Sequence, residues 1–214
     1  MARRIAAPKP KRTHKTHKPH PRSARMREEI VLAAAETFAK KGYRATTMAE
    51  IAAAAGYTAP SLYTYFKSKE EIFRAIVKGL KAELLETYDE RLPMSLSFAQ
   101  RLELLLLRQY DVSERRRSAI QLILSTTSEV APEELSPASD GHQAFCNAFE
   151  RWIGEHATKK DLGGVTAKEA TRVLMGISHA FFQDWILGRL EGRLTDAAPR
   201  VVGYFLRGIS GAHS

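Results

Sequence analysis

Apolar residues recur along most of this chain at spacings of three and four, the period of a helix with one buried face. The pattern is sharpest over residues 46–71. Met48, Ile51, Ala52 and Ala55 form one stripe, and Thr47 with Glu50 three residues later is a capping box that opens a helix. Gly56 ends this element, because glycine accepts the left-handed backbone that a helix C-terminus needs. Thr58 caps the next helix, whose first turn tolerates Pro60 since the N–H lost there has no helical partner. Leu62 and Phe66, four apart, point inward and leave Ala59, Ser61, Tyr63, Thr64 and Tyr65 more exposed. Two short helices joined by a tight turn make a helix-turn-helix.

The same period predicts an all-α fold of about nine helices. A helix over 25–41 precedes the pair and buries Met26, Ile30, Ala34 and Phe38. Ser68 and Glu71 open a fourth, reaching about residue 91, with Ile72, Phe73, Ile76, Val77, Leu80, Leu84 and Tyr88 inward and Pro93 after its end. A fifth lies over 97–110 and a sixth over 113–127. Residues 129–137, with two prolines and three glutamates, read as a loop. The seventh helix covers 137–158 and carries Phe145, Phe149 and Trp152 on one side. Gly163 and Gly164 break the chain, Thr166 and Glu169 open the eighth, which reaches about 190, and the ninth follows Thr195 and ends by Ile209. No strand alternation and no internal repeat appears.

Charge changes this picture at one end. The net charge is +9, but eight of the 33 basic residues and none of the 24 acidic ones lie in residues 1–22, so the remainder is nearly neutral. Four prolines and few large apolar residues leave that segment nothing to bury, which predicts a disordered basic arm. One cysteine excludes an internal disulfide and suits a reducing cytosol. No apolar run approaches the roughly 18–20 residues that span a bilayer, and the basic N-terminus lacks the apolar segment of a secretory signal, so a cytoplasmic protein is expected.

Motifs of catalysis are missing from the sequence. The string around Ser178 lacks the last glycine of a nucleophile elbow and sits in a predicted helix. No phosphate-binding glycine loop or HExxH occurs, and Cys146 has neither a CxxC partner nor a basic cluster beside it. His14, His17 and His20 recur at three-residue spacing, but in a like-charged, proline-rich segment. No enzyme activity, metal or cofactor is expected.

Exposed tyrosines among small hydroxyl residues, followed by Lys67 and Lys69, suit a helix laid in a DNA major groove. The segment AGYTAPSLYTYFKSKEEIF resembles the recognition segment of the TetR family of bacterial transcriptional regulators. REEIVLAAAETFAKKG is similar to that family's first helix and YRATTMAEIAAAAG to its second. The likeness covers residues 25–73, with two mild departures at Tyr57 and Pro60. It implies that Ala59, Pro60, Ser61, Tyr63 and Thr64 face base edges, and that Thr46, Thr47, Tyr65 and Lys69 hold phosphates. The alternative for Tyr63 is a half-buried core aromatic. The recognition helix has no arginine, glutamine or asparagine, so bidentate base contacts are scarce and DNA shape is expected to carry much of the specificity.

Charge and helix order divide the chain into three segments, the arm over 1–22, a helix-turn-helix DNA-binding domain over 23–66 and a larger helical domain over 67–214, to which the resemblance assigns ligand binding and dimerisation. Members of the family pair through their last two helices, which assigns Val173, Ile177, Phe181, Val202, Phe205, Leu206 and Ile209 to a homodimer interface. Tyr88, Leu105, Gln109, Ile120, Phe145, Phe149, Trp152, His179 and Phe182 are candidates for a ligand pocket, with ordinary core packing as the alternative for each. The expected protein is a ligand-responsive transcriptional regulator, a repressor that leaves a palindromic double-stranded operator when an unidentified small-molecule effector binds. The competing expectation is a general polybasic binder of nucleic acid or membrane surfaces that uses the arm alone. Deleting residues 1–22 is expected to lower DNA affinity and make its salt dependence shallower, by about 0.9 in log–log slope for each phosphate that is no longer neutralised. The ranking of DNA sequences should stay the same. Equal slopes for the two proteins, measured by titration at several salt concentrations, would make the arm a bystander.

Overall fold

The computed structural model describes residues 21–89, 91–93, 95–126 and 132–210. Residues 1–20, most of the expected arm together with His14, His17 and His20, lie outside this description. The described residues contain helices and no strand. They run as α1 (Pro21–Lys41), α2 (Met48–Ala54), α3 (Ala59–Tyr63), α4 (Lys69–Asp89), α5 (Phe98–Arg115), α6 (Arg117–Thr126), α7 (Pro132–His156), α8 (Ala167–Ile186) and α9 (Ala198–Ser210). A short 3-10 turn, Leu194–Ala197, leads into α9.

Caps set most of these boundaries. Thr47, Ser97 and Thr166 each accept from a backbone N–H three residues on, while Glu50, Gln100 and Glu169 bond back to the cap's own N–H. α1 and α2 are followed by Gly42 and Gly56 at φ 84° and 76°, the left-handed region where a side chain would be strained.

Several boundaries differ from expectation, among them the end of α8, which stops at Ile186 and not near residue 190. α1 begins at Pro21, the first-turn position at which proline's missing N–H costs nothing, so the last residues of the expected arm are helical. α5 runs on to Arg115 and the chain bends at Arg116, five residues later than expected. α7 begins at Pro132, so residues 132–137 are the start of that helix and not a loop. Here too a proline occupies a helix's first turn, which proline in a sequence does not distinguish from a loop.

α1 packs on α2, α4 and α6, α4 on α5 and α7, and α8 on α7 and α9. The N-terminal helices close around Ile30, Ala34, Phe38, Ile51, Leu62 and Phe66. Tyr43 joins them to α4 through ring contacts with Phe38 and Phe73 at 5.2 and 5.4 Å. The apolar core continues along α4 into the larger helical body without a gap. Among the described residues no helix is long and apolar enough to cross a membrane.

Candidate functional site

α3 presents its outer face because its inner face is held from α1. Leu62 and Phe66 are fully buried. The Tyr57 hydroxyl donates to Glu29 at 2.7 Å, the Tyr65 hydroxyl meets the Met26 Sδ at 3.0 Å, and Arg27 donates to the Tyr65 carbonyl while lying 4.0 Å over the Phe66 ring. The Tyr57 bond, helped by Arg25, holds the Glu29 carboxyl below the usual carboxylate range. Three residues of α1 thus grip both ends of the short helix. Tyr63 stands out at 54% exposure, with Pro60 and Thr64 also exposed and Ala59 and Ser61 half-exposed. The half-buried core reading of Tyr63 does not fit this geometry.

The four residues expected at phosphates divide. Thr47 is exposed and Tyr65 half-buried. The Glu50 carboxyl beside Thr47 is held at about 2, first by its bond to Lys41 and then by the Thr47 backbone and hydroxyl. Thr46 and Lys69 need correction. Thr46 is only 2% exposed, and its hydroxyl donates to the Gly42 carbonyl at 2.8 Å. The Lys69 ammonium donates to the carbonyls of Tyr43, Arg44 and Thr46 at 3.1, 3.1 and 3.4 Å and lies 4.8 Å from the Tyr43 ring centre. Those carbonyls belong to the loop after α1, which has no helical donors to offer them, and the cation supplies what the loop lacks. Lys69 fastens the start of α4 to that loop. Lys69→Met should therefore lower stability by about 1–3 kcal/mol in denaturant unfolding. Its effect on the salt slope of DNA binding should be small, and a slope shallower by one whole phosphate would restore the phosphate role.

A cavity of about 280 Å3 lies in the larger body, between α4, α5, α7 and α8. Leu80 and Leu84 of α4, Leu106 of α5 and Leu174 of α8 form much of its apolar wall. Of the nine expected pocket residues, Gln109, Phe145, Phe149, His179 and Phe182 line it. The other four are corrected. Tyr88 stands behind the wall, edge-on to Phe145 and Phe149 at 5.7 Å each. Leu105, Ile120 and Trp152 are buried in the core. Leu105 shares α5 with Leu106, Gln109 and Tyr110, but one position turns a side chain about 100° around a helix, which takes it off the cavity face. Both tryptophans sit one ring behind the lining, Trp152 6.4 Å from Phe149 and Trp185 5.6 Å from Phe182.

Sequence reasoning missed Lys81, His142 and the Tyr110–Ser178 pair as lining residues. The Tyr110 and Ser178 oxygens are 2.7 Å apart, and burial pushes the Tyr110 phenol up to about 12. The helical stripe of α4 was a usable signal for Lys81, which lies four residues after the inward Val77 and three before Leu84. Nothing in the sequence pairs Tyr110 with Ser178, which are 68 residues apart.

On α8 and α9 the expected interface also divides. Val202, Phe205 and Ile209 are buried within the chain, because 198, 201, 202, 205 and 209 make the inward stripe of α9. Val173 is 44% exposed, and Ile177, Phe181 and Leu206 are partly exposed. The outward face adds Gly176, Ala180 and Tyr204. There Phe181 stacks on Tyr204 with ring centres 6.3 Å apart, Arg200 lies 5.0 Å over Phe181, and Arg207 lies 5.4 Å over Tyr204. No group of three or more metal-binding side chains occurs among the described residues.

A capped helix pair with one outward recognition face, set on an all-helical body, defines a helix-turn-helix protein. Residues 30–76 match the family model for bacterial regulatory proteins of the tetR family. The transcriptional repressor KstR2 of Rhodococcus jostii is 33% identical over 129 residues, which is 60% of this chain and 62% of that relative's length. The chain thus spans less than two thirds of the relative it matches there. The TetR family regulator PfmR of Thermus thermophilus superposes with a TM-score of 0.69 at 20% identity, over 85% of this chain and 95% of that one. The regulator FadR of Bacillus subtilis, in complex with stearoyl-CoA, superposes with a TM-score of 0.66 at 19% identity, over 87% and 99%. Residues 30–76 thus carry the segment shared by tetR-family bacterial regulatory proteins, and the chain as a whole has the fold of such regulators.

Proposed function

We propose that this chain is a homodimeric repressor that binds a two-fold operator and leaves it when a small apolar molecule occupies the cavity. The observation that carries the reading is the double membership of α4. Its first residue, Lys69, is fastened to the loop that leads into the helix-turn-helix, and Leu80 and Leu84 further along it line the cavity. A ligand that favours one position of α4 thereby favours one placement of α3, and it acts only as far as its affinities for the two states differ.

The division into an arm over 1–22, a DNA-reading module over 23–66 and an effector and pairing domain over 67–214 follows from this role. Ala59, Pro60, Ser61, Tyr63 and Thr64 read base edges, and Thr47 and Tyr65 hold the backbone. Pairing uses the outward face of α8 and α9, where Val173, Gly176, Ile177, Ala180, Phe181 and Tyr204 lie. The chain works by binding and not by turnover. KstR2 of Rhodococcus jostii is named a repressor, and the FadR structure holds stearoyl-CoA; both support a repressor whose effector has an apolar body.

Selection of bound duplexes from a random pool tests the reading. It should enrich inverted repeats whose halves are about one helical turn apart. The enriched duplex should then be released by stearoyl-CoA or by a member of a panel of apolar compounds. A pool that shows no enrichment, with equal binding to all duplexes, would replace this reading with that of a general polybasic binder.

A further inference from the structure

The cavity walls are apolar, yet one buried polar group among them lacks a well-formed hydrogen bond. Gln109 is only 4% exposed and lines the cavity, and its Nε2, beside the Tyr88 hydroxyl, makes no hydrogen bond of good geometry. The other polar lining groups deep in the body are already satisfied. The Tyr110 hydroxyl is paired with Ser178, and the Ser113 hydroxyl donates to the Gln109 backbone carbonyl at 2.8 Å. Lys81 and the exposed imidazoles of His142 and His179 also lie in the lining, and His179 lies 3.1 Å from the Gln183 amide. Behind the wall the buried Tyr88 hydroxyl is likewise without a hydrogen bond of good geometry. Burial holds its phenol above the ordinary range, and the neighbouring Gln109 amide opposes that only in part.

A buried donor without an acceptor is costly, and a ligand oxygen placed against it recovers the loss. We propose that Gln109 is the specificity residue of the cavity, and that its carboxamide selects an otherwise apolar effector bearing one neutral oxygen acceptor, a ketone or ester carbonyl. The inference rests on the reading of the cavity as the effector site. It adds the chemistry by which that site tells a carbonyl compound from a plain hydrocarbon. Sites built to hydrogen-bond a polar group reject the analogue that lacks it, because their own buried group is then left unpaired.

The full-length protein is titrated with N-phenyl-1-naphthylamine, a neutral dye whose emission rises in apolar cavities. The dye is then displaced with 2-decanone or with 2-methyl-1-decene, in which a methylene group replaces the carbonyl oxygen. The ratio of the two displacement constants is compared between the parent and Gln109→Leu, so that the partitioning of the probes cancels. The ratio should fall about tenfold in the variant. The ligand-free melting temperature of Gln109→Leu should rise by about 2–4 °C, since an unpaired amide is removed from an apolar wall. Tyr88→Phe, behind the wall, should keep the ketone preference. Gln109→Met takes the place of the leucine variant if circular dichroism shows the latter unfolded. An unchanged ratio with dye still bound overturns the role of Gln109 and leaves the cavity reading standing, as does loss of preference in Tyr88→Phe alone. Failure of the parent to bind the dye or either probe overturns both.

Discussion

Replacing Phe205 by glutamate is expected to leave no folded protein, whereas the same charge one residue earlier, at Tyr204, should spare the fold and split the proposed dimer. Phe205 has no exposed surface. Losing a buried aromatic ring costs about 3–5 kcal/mol, and a carboxylate in its place adds an unpaired buried charge. Together these consume most of the roughly 5–15 kcal/mol by which a protein of this kind is stable. Tyr204 is 47% exposed and lies on the outer side of α9, stacked on Phe181 and capped by Arg207. In a two-fold pair the variant would bring two acids together in place of two aromatic surfaces. Sedimentation should then show a helical monomer at micromolar concentration. Operator affinity should fall by about 100-fold or more, because the second half-site no longer binds as an intramolecular event. A Phe205→Glu protein that melts cooperatively would mean α9 turns its other side to the core. A Tyr204→Glu protein that stays dimeric would move the interface elsewhere.

Tyr63→Ala is expected to flatten discrimination between operator sequences. The side chain is exposed on a helix whose ends are held from α1, so truncation removes a groove contact without loosening the fold. The loss should be about 1–3 kcal/mol at the base pair it touches, a drop of roughly five- to 150-fold for the preferred sequence. Binding to unrelated duplexes should barely change, since the phosphate contacts remain. Titration of the selected operator and of a scrambled duplex by the parent and the variant gives both numbers. Parent-like discrimination would take Tyr63 out of the base-reading set. Because α3 offers no arginine, glutamine or asparagine, the remaining preference should follow groove width and step flexibility, visible as sensitivity to base pairs outside the contacted ones.

The N-terminal elements were legible in the sequence because their signals are local. Thr47 with Glu50, Thr58 and Gly56 each act within four residues, and each does in the fold what its spacing implies. The helices of the larger body were legible for the same reason, through Ser97 and Thr166 and the three- and four-residue stripes. What the stripes do not tell is which neighbour an inward residue meets. Leu105 and Gln109 both belong to the buried side of α5, but only the second reaches the cavity. Phe205 and Tyr204 are both large and aromatic, and only the packing of α9 decides which of them is available to a partner. Lys69 shows the same limit at the DNA end. A lysine after a recognition helix suggests a phosphate, and three converging carbonyls 23 to 26 residues away in sequence use it instead.

The placement of the two tryptophans gives the protein an internal optical gauge. Both indoles are buried next to rings that face the cavity, Trp152 behind Phe149 and Trp185 behind Phe182, and α1, α2 and α3 contain none. Trp185 also lies under the Arg117 guanidinium, 4.8 Å from its ring centre, and that cation bonds to the backbone carbonyls at the end of α8. Emission from these indoles is therefore set by how the aromatic wall is packed, while a labelled duplex reports the other end of the molecule. The two signals can be followed in one cuvette, ligand against DNA and DNA against ligand. Thermodynamic linkage requires the same factor from both directions. Unlabelled protein can thus yield its own coupling energy.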